Sequence, residues 1–350
     1  MEFVMYETDP TGLENFYRAV IKKYETYAPV ESFGRYSFER VQDSAPYQLH
    51  PPVDKSLSIK SLFLPQASQV MRFTENQEGV KILPLQEDAL ARKKVALGVK
   101  MCDAQAIKVL EGVMKWDYID EDFLKRRENT ILVADACDLA EPHCFCSSLD
   151  FDFQKSDAFD VLIIGARGKM SILKALTKLG DEFLREAASA LKPATKTAEK
   201  TIQEHFKKFL ESFKKKFDYS AVNKAMTENF ESPEYDEFGK NCITCKTCAF
   251  VCPTCHCFKT VDEKVKDTGV RYKCQDTCTD CNFTLMAGGH NPRVEKSRRL
   301  RQRMMHKFVY YKERFGSNLC VGCGRCVSFC PVKIDIFDVV TSVAKKGGKK

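Results

Sequence analysis

The sequence predicts an α/β (α+β) N-terminal domain over residues 1–232, followed by an all-α helical domain over residues 233–350. Three observations predict it. Short apolar runs at residues 94–99, 131–136 and 161–165 alternate with helix-length segments, the pattern of an α/β layer. Ser232-Pro233 reads as a boundary. Beyond it, residues 297–314 carry Leu300, Met304, Phe308 and Tyr311 at helical spacing between two cysteine-rich runs.

In chain order, Thr11-x-x-Glu14 reads as a capping box. Behind it Leu13, Phe16, Tyr17, Val20, Ile21 and Tyr24 make an amphipathic helix. Residues 25–75, with prolines at 29, 46, 51, 52 and 65, read as short strands and loops. Asp103 is placed to cap a helix over 104–114, and a second helix covers 122–129. From Ser171 onward the pattern becomes helical, broken and restarted at Gly180-Asp181. Residues 192–200 read as a surface connection. Ile202, Phe206, Phe209, Leu210, Phe213 and Phe217 line one face of the helix that follows. The lysine- and glycine-rich 345–350 reads as a frayed tail.

The cysteines carry the chemistry. Cys242-x2-Cys245-x2-Cys248-x3-Cys252-Pro253 and Cys320-x2-Cys323-x2-Cys326-x3-Cys330-Pro331 each have the spacing of a ferredoxin-type 4Fe–4S site. A cubane takes three thiolates from one tight loop and a fourth from elsewhere, and in two-cluster ferredoxins that fourth comes from the other run. Cys242, Cys245, Cys248 and Cys330 are therefore assigned to one cluster, and Cys252, Cys320, Cys323 and Cys326 to a second. Zinc ribbons or disulfides are the rival reading, and zinc sites favour paired CxxC units with a long gap. Between Cys252 and Cys320 lie 67 residues, so the expectation is a helical dicluster ferredoxin-type domain, not the compact ferredoxin.

Nine cysteines remain. Cys102, Cys137, Cys144 and Cys146 follow predicted strands or share a loop, and loops after neighbouring strands converge; four thiols is the count for a third cluster. The alternative is buried free cysteine. Cys255, Cys257, Cys274, Cys278 and Cys281 follow the first run, and four of the five can hold a further cluster or zinc, against structural or redox-active thiols. Cys274-x3-Cys278-x2-Cys281 has the spacing of radical-SAM enzymes, but only 69 residues follow it, too few for the barrel that motif needs.

The net charge of +7 sits in one segment. Residues 291–314 hold nine Lys/Arg against Glu295 and Glu313, and the rest is close to neutral, so nucleic acid is not an expected partner. Met1–Tyr24 is not a secretory signal, and no run of about 18 apolar residues marks a membrane span. Exposed cluster ligands without an export signal imply a reducing, oxygen-poor cytoplasm.

Several motifs resemble one family. Cys-Pro-Thr-Cys-His-Cys-Phe (252–258), Ala-Gly-Gly-His-Asn-Pro-Arg (287–293), Arg-Gln-Arg-x-x-His-Lys-Phe (301–308) and Cys-Val-Gly-Cys-Gly-Arg-Cys (320–326) are similar to the 4Fe–4S dicluster electron-transfer subunits. That family includes an iron–sulfur subunit of anaerobic sulfite reductase and the sulfhydrogenase beta subunits, with related subunits beside heterodisulfide reductase-type complexes. Tyr-Ala-Pro-Val (27–30), Cys102-Asp-Ala-Gln-Ala, Arg126-Arg-Glu-Asn-Thr and Cys144-Phe-Cys146-Ser extend the resemblance over nearly the whole chain. It implies a third cluster on Cys102, Cys137, Cys144 and Cys146. It also implies a non-catalytic subunit between an FAD/NAD(P)-binding, ferredoxin reductase-like partner and a terminal reductase or hydrogenase. Cys255, Cys257 and Cys278 match family positions; Cys274 and Cys281 depart from them.

No Gly-rich dinucleotide fingerprint follows a strand, Gly165-Ala-Arg-Gly168 being the nearest, so no flavin or nicotinamide is expected on this chain alone. No catalytic triad or carboxylate pair stands out. Arg271, His290, Arg293, Arg301, Arg303, His306 and Lys307 are placed to offset cluster charge or to dock an acidic partner, against a solvated basic helix face. His256 reads as a donor behind the cysteines or a loop residue. Two other functions stay open: an enzyme with its own open cluster or metal at Cys255–Cys281, and a zinc-based interaction module.

Overall fold

The computed structural model describes residues 3–42, 47–84, 92–168, 170–187 and 191–347, with side chains to Lys345. The N-terminal half begins β1 (Met5–Thr8), α1 (Pro10–Lys23), β2 (Glu25–Ser32), β3 (Arg35–Val41), α2 (Lys60–Phe63), β4 (Ala67–Asn76) and β5 (Gly79–Leu83). It continues β6 (Lys94–Lys100), α3 (Met101–Met114), α4 (Glu121–Glu128), β7 (Thr130–Asp135), β8 (Val161–Ile164), β9 (Ser171–Ala175), α5 (Lys178–Ala187) and β10 (Lys192–Pro193). Then come α6 (Ala198–Glu211), α7 (Tyr219–Glu228), α8 (Glu234–Lys240) and α9 (Thr247–Phe250). A hairpin, β11 (Phe258–Val265) and β12 (Thr268–Gln275), precedes α10 (Lys296–Met305), α11 (Tyr311–Phe315), α12 (Arg325–Ser328) and α13 (Ile336–Gly347).

The main sheet has eight strands in the order β10-β1-β9-β8-β7-β6-β2-β3. β2, β6, β7 and β8 run parallel; the outer strands are antiparallel. Both faces are covered, which explains why β6, β7 and β8 read as continuous apolar runs. Along β7, Ile131 and Val133 pack toward α1 and α5, while Leu132 and Ala134 pack toward α3, α4 and α6. Pro29 lies beyond Glu25–Tyr27, where β2 pairs β6, so its missing N–H costs no parallel pairing.

Three local readings change. The cap of α1 is Asp9, whose Oδ1 accepts from Gly12 N at 2.8 Å, with Pro10 at the first helical position, so Thr11 lies inside the helix. The short strands expected within 25–75 include a regular hairpin over 25–41. Residues 171–175 are β9, paired to β1 and β8; the helix begins only at Lys178. Asp103 does not cap α3, because Arg325 takes its carboxylate. Of the tail, residues 345–347 end α13 and 348–350 lie outside the described residues.

The C-terminal part is not all-α. β11 and β12 form a four-stranded antiparallel sheet with β4 and β5. Val261, Val265, Val270 and Tyr272 around the Lys266-Asp267 turn carry the alternation of a hairpin, which cysteine spacing does not report. The helical remainder shares one core: Tyr219, Met226, Tyr235, Leu300, Met304, Phe308 and Val340 close on Phe145 and Leu149 of the N-terminal half. No described helix is long and apolar enough to cross a membrane.

Candidate metal centre

Residues 242–248 wind as a tight loop in which Thr244 and Lys246 take left-handed φ of 57° and 66°. This costs non-glycine residues energy and turns three thiols to one side. Cys330 arrives from beyond α12. Cys242, Cys245, Cys248 and Cys330 line one cavity of about 60 Å³, walled by Leu300, Met304 and Ile336. Cys326 borders the same cavity.

Cys252, Cys320, Cys323 and Cys326 make the second set. Each of Cys320, Cys323 and Cys326 feels the charge of Cys252, and Cys326 that of the other two as well. Burial pushes all three thiols up, Cys320 to about 12, so thiolates form here only against a compensating positive charge. That charge is present. Lys307 is 2 % exposed, and its hydrogen-bond partner is the neutral Thr254 hydroxyl, Nζ to Oγ1 2.9 Å. A buried ammonium facing only a hydroxyl is costly unless anions lie nearby. Cys252 and Cys255 supply them, holding Lys307 above its ordinary range against the pull of burial. Arg303, 3 % exposed, donates to Cys255 Sγ and Cys248 O, both at 2.9 Å. The donor sets therefore fit a negatively charged thiolate-ligated cluster, because iron keeps its thiols deprotonated.

The third set sits at the carboxyl ends of β6 and β7, where open α/β sheets bind ligands. Cys102, Cys137, Cys144 and Cys146 line a cavity of about 450 Å³ with Lys100, Asp135 and Cys323. His50 Nδ1 meets Asp135 Oδ2 at 2.7 Å on its rim. Two glycines hold this loop to the second run. Gly322 (φ 64°) passes so close that a Cβ would lie 2.5 Å from Cys146 N, and at Gly324 (φ 73°) it would lie 2.6 Å from His143 Cβ. Phe145 N donates to Gly322 O at 2.9 Å, and Cys144 Sγ to Cys323 O at 3.8 Å.

Residues 241–334 match the 4Fe-4S dicluster domain family. Over 321 residues, 91 % of this chain and 91 % of its counterpart, the sequence is 29 % identical to sulfhydrogenase 2 subunit beta of Pyrococcus furiosus. The chain therefore carries a 4Fe-4S dicluster domain and is similar over nearly its whole length to a sulfhydrogenase beta subunit. Its type is that of iron–sulfur, electron-transferring oxidoreductase subunits.

Of the five remaining cysteines of this dicluster chain, three meet. Cys255, Cys257 and Cys278 line a cavity of about 10 Å³ with His256, Arg303, His306 and Lys307. Cys274 lies in β12 opposite Lys259, and Cys281 is exposed, donating to Asp280 and Asn282. Among the described residues, no three His, Cys, Asp or Glu side chains gather tightly enough for a lone metal ion.

The charged residues divide. Arg303 and Lys307 face the cysteines, and so does Arg299, which is 4 % exposed and donates to Thr279 O and Arg293 O. A π-helical turn at His306–Tyr310 follows α10 and keeps Lys307 inward. The inner face of this segment is therefore basic as well as apolar, which helical periodicity alone does not report. His306 stacks edge-on to His256 at 5.5 Å. Arg271 pairs with Asp262 across the hairpin, Nε to Oδ1 2.7 Å, away from the cysteine sets. His290 is exposed, and Arg301 pairs with Glu231 over the Phe230 ring. Sequence reasoning missed Arg325 and Lys60. Lys60 Nζ donates to Phe250 O and Cys255 O at 3.3 and 3.2 Å and so pins the end of the first run. Arg325 had a signal, lying inside Cys323-x-x-Cys326; Lys60 had none.

Proposed function

We propose that the chain is the iron–sulfur electron-transfer subunit of an anaerobic, cytoplasmic complex. It relays single electrons between an FAD/NAD(P)-binding, ferredoxin reductase-like subunit and a terminal reductase or hydrogenase subunit. One observation carries the reading: the second cysteine set touches both others. Cys326 borders the first cavity and Cys323 the third, so the three sets follow one another as first, second, third. Bound 4Fe–4S groups supply one-electron steps at potentials set by charge, hydrogen bonds and burial.

The protein's own part is to space the thiols, exclude water and supply Arg303, Lys307 and Arg325 as fixed positive charges. Cys242, Cys245, Cys248 and Cys330 hold the first group, Cys252, Cys320, Cys323 and Cys326 the second, and Cys102, Cys137, Cys144 and Cys146 the third. With this goes a division into units 1–232 and 233–350. The relative's printed name, a sulfhydrogenase subunit, supports partner subunits.

Anaerobic isolation with iron and sulfide counting and EPR tests the proposal. About eight irons are expected for the two runs and about twelve with the third set, with spin–spin broadening between neighbours. A colourless, zinc-bearing, fully folded chain ends it.

A further inference from the structure

Cys257 stands at the boundary of two cavities. The outer one, about 780 Å³, has Cys255, His256 and Cys257 on its floor and Phe63, Trp116, Tyr118 and Phe258 in its walls. The inner one, about 10 Å³, lies behind and is lined by Cys255, Cys257 and Cys278. Cys278 borders only the inner cavity and is 8 % exposed. Cys257 directly precedes β11 and Cys278 follows β12; the two segments are joined where Asp276 N donates to Cys257 O at 2.8 Å, and both thiols line the one small cavity.

The inner space is at the lower limit for a single water. Its third thiol, Cys255, is engaged by Arg303, and Cys274 and Cys281 do not reach it. Two neighbouring thiols, one facing a substrate-sized cavity and one behind it, are the arrangement of an attacking and a resolving cysteine.

We propose that Cys257 and Cys278 are a redox-active dithiol whose substrate is a small compound with a sulfur–sulfur bond, admitted through the outer cavity. Cys257 thiolate attacks one sulfur of R–S–S–R. A Cys257–S–R bond forms, the substrate S–S bond breaks, and the first RS⁻ leaves and takes a proton. Cys278 thiolate then attacks the Cys257 sulfur, the second RS⁻ leaves and is protonated, and a Cys257–Cys278 disulfide remains. The substrate has gained two electrons and two protons, and the dithiol has lost them. The inference goes beyond the relay and rests on it only for the two electrons that reopen the pair. Arg303 and Lys307 line the inner cavity and favour thiolates there.

The test treats the full chain, prepared without oxygen, with bis(2-hydroxyethyl) disulfide. Free thiols are then alkylated and peptides are weighed. Wild type is expected to yield Cys257 and Cys278 peptides joined and released by dithiothreitol. The Cys278→Ser chain is expected to accumulate the mixed disulfide on Cys257, and the Cys257→Ser chain none on Cys278, each with wild-type iron and visible absorption. Fully alkylated Cys257 and Cys278 in treated wild type overturn the proposal, as does bound metal that Cys257→Ser removes. A wild-type chain that joins the two cysteines yet binds no iron sinks the relay and leaves the dithiol standing.

Discussion

Arg325 holds Asp103 with both terminal guanidinium nitrogens, Nη1 to Oδ1 at 2.5 Å and Nη2 to Oδ2 at 2.8 Å, and neither side chain has any exposure. Arg325 lies between Cys323 and Cys326, and Asp103 follows Cys102. The pair therefore couples the second cysteine set to the third. Burial pushes the Asp103 carboxyl above its usual range, and Arg325 pulls it back. Arg325 Nε also donates to Ser56 O at 2.6 Å.

Removing one partner of such a pair leaves a buried charge alone. Arg325→Met is expected to cost about 3–5 kcal/mol, and Asp103→Leu a similar amount. The double variant recovers much of that loss, because two apolar side chains leave no orphan charge. Anaerobic denaturant unfolding of the four chains checks this; strictly additive losses would count against it.

Gly322→Ala is expected to part the two cysteine sets. A methyl there meets Cys146 backbone at 2.5 Å, and positive φ adds strain. The third set lies against this contact, while Cys242, Cys245 and Cys248 lie away from it. The EPR signal and iron of the third set are therefore lost first, about four irons in about twelve. Retention of all iron with unchanged stability would refute the joint.

Lys307→Met removes a buried positive charge beside Cys252. The more reduced, more negative state of the second group then loses stabilisation, so its midpoint potential falls. Each ~1.4 kcal/mol of lost interaction lowers a one-electron potential by about 59 mV. EPR-monitored redox titration reads the shift, and Lys307→Arg is expected to move it less.

Tyr311 Oη donates to Val109 O at 2.5 Å, fastening the C-terminal helices to α3. Tyr311→Phe is expected to cost about 0.5–1.5 kcal/mol at pH 8. Burial pushes the phenol up to about 12, above its unfolded value. The stability this represents is complete below about pH 10 and is lost as pH rises toward 12, because the unfolded chain ionises first. The gap between wild type and Tyr311→Phe therefore narrows from pH 8 to pH 11, measured by guanidinium midpoints.

Much of the centre was legible because a cubane imposes spacing on the chain that binds it. Three thiols in a Cys-x2-Cys-x2-Cys loop must face one body, and the cavity lined by Cys242, Cys245, Cys248 and Cys330 has that form. The sheet was legible for a different reason: strands covered on both faces, such as β7, are apolar throughout. What was hidden depends on long-range contacts. Nothing local tells that Asp103 meets Arg325 rather than its own helix, or that Lys60 reaches the carbonyl of Cys255. The β11–β12 hairpin was overlooked because its side chains are largely polar and exposed, and its pairing partner β4 lies almost two hundred residues away.

That pairing bears on how the chain is made. Residues 67–83 wait for 258–275 before their sheet is complete, and the pocket begun at Cys242 closes only when Cys330 arrives. A polypeptide emerging from the ribosome has therefore produced nearly its whole length before the first and second cysteine sets are complete. A premature stop a few codons short of Cys330 would leave the pocket of Cys242, Cys245 and Cys248 open on the side that Cys330 closes.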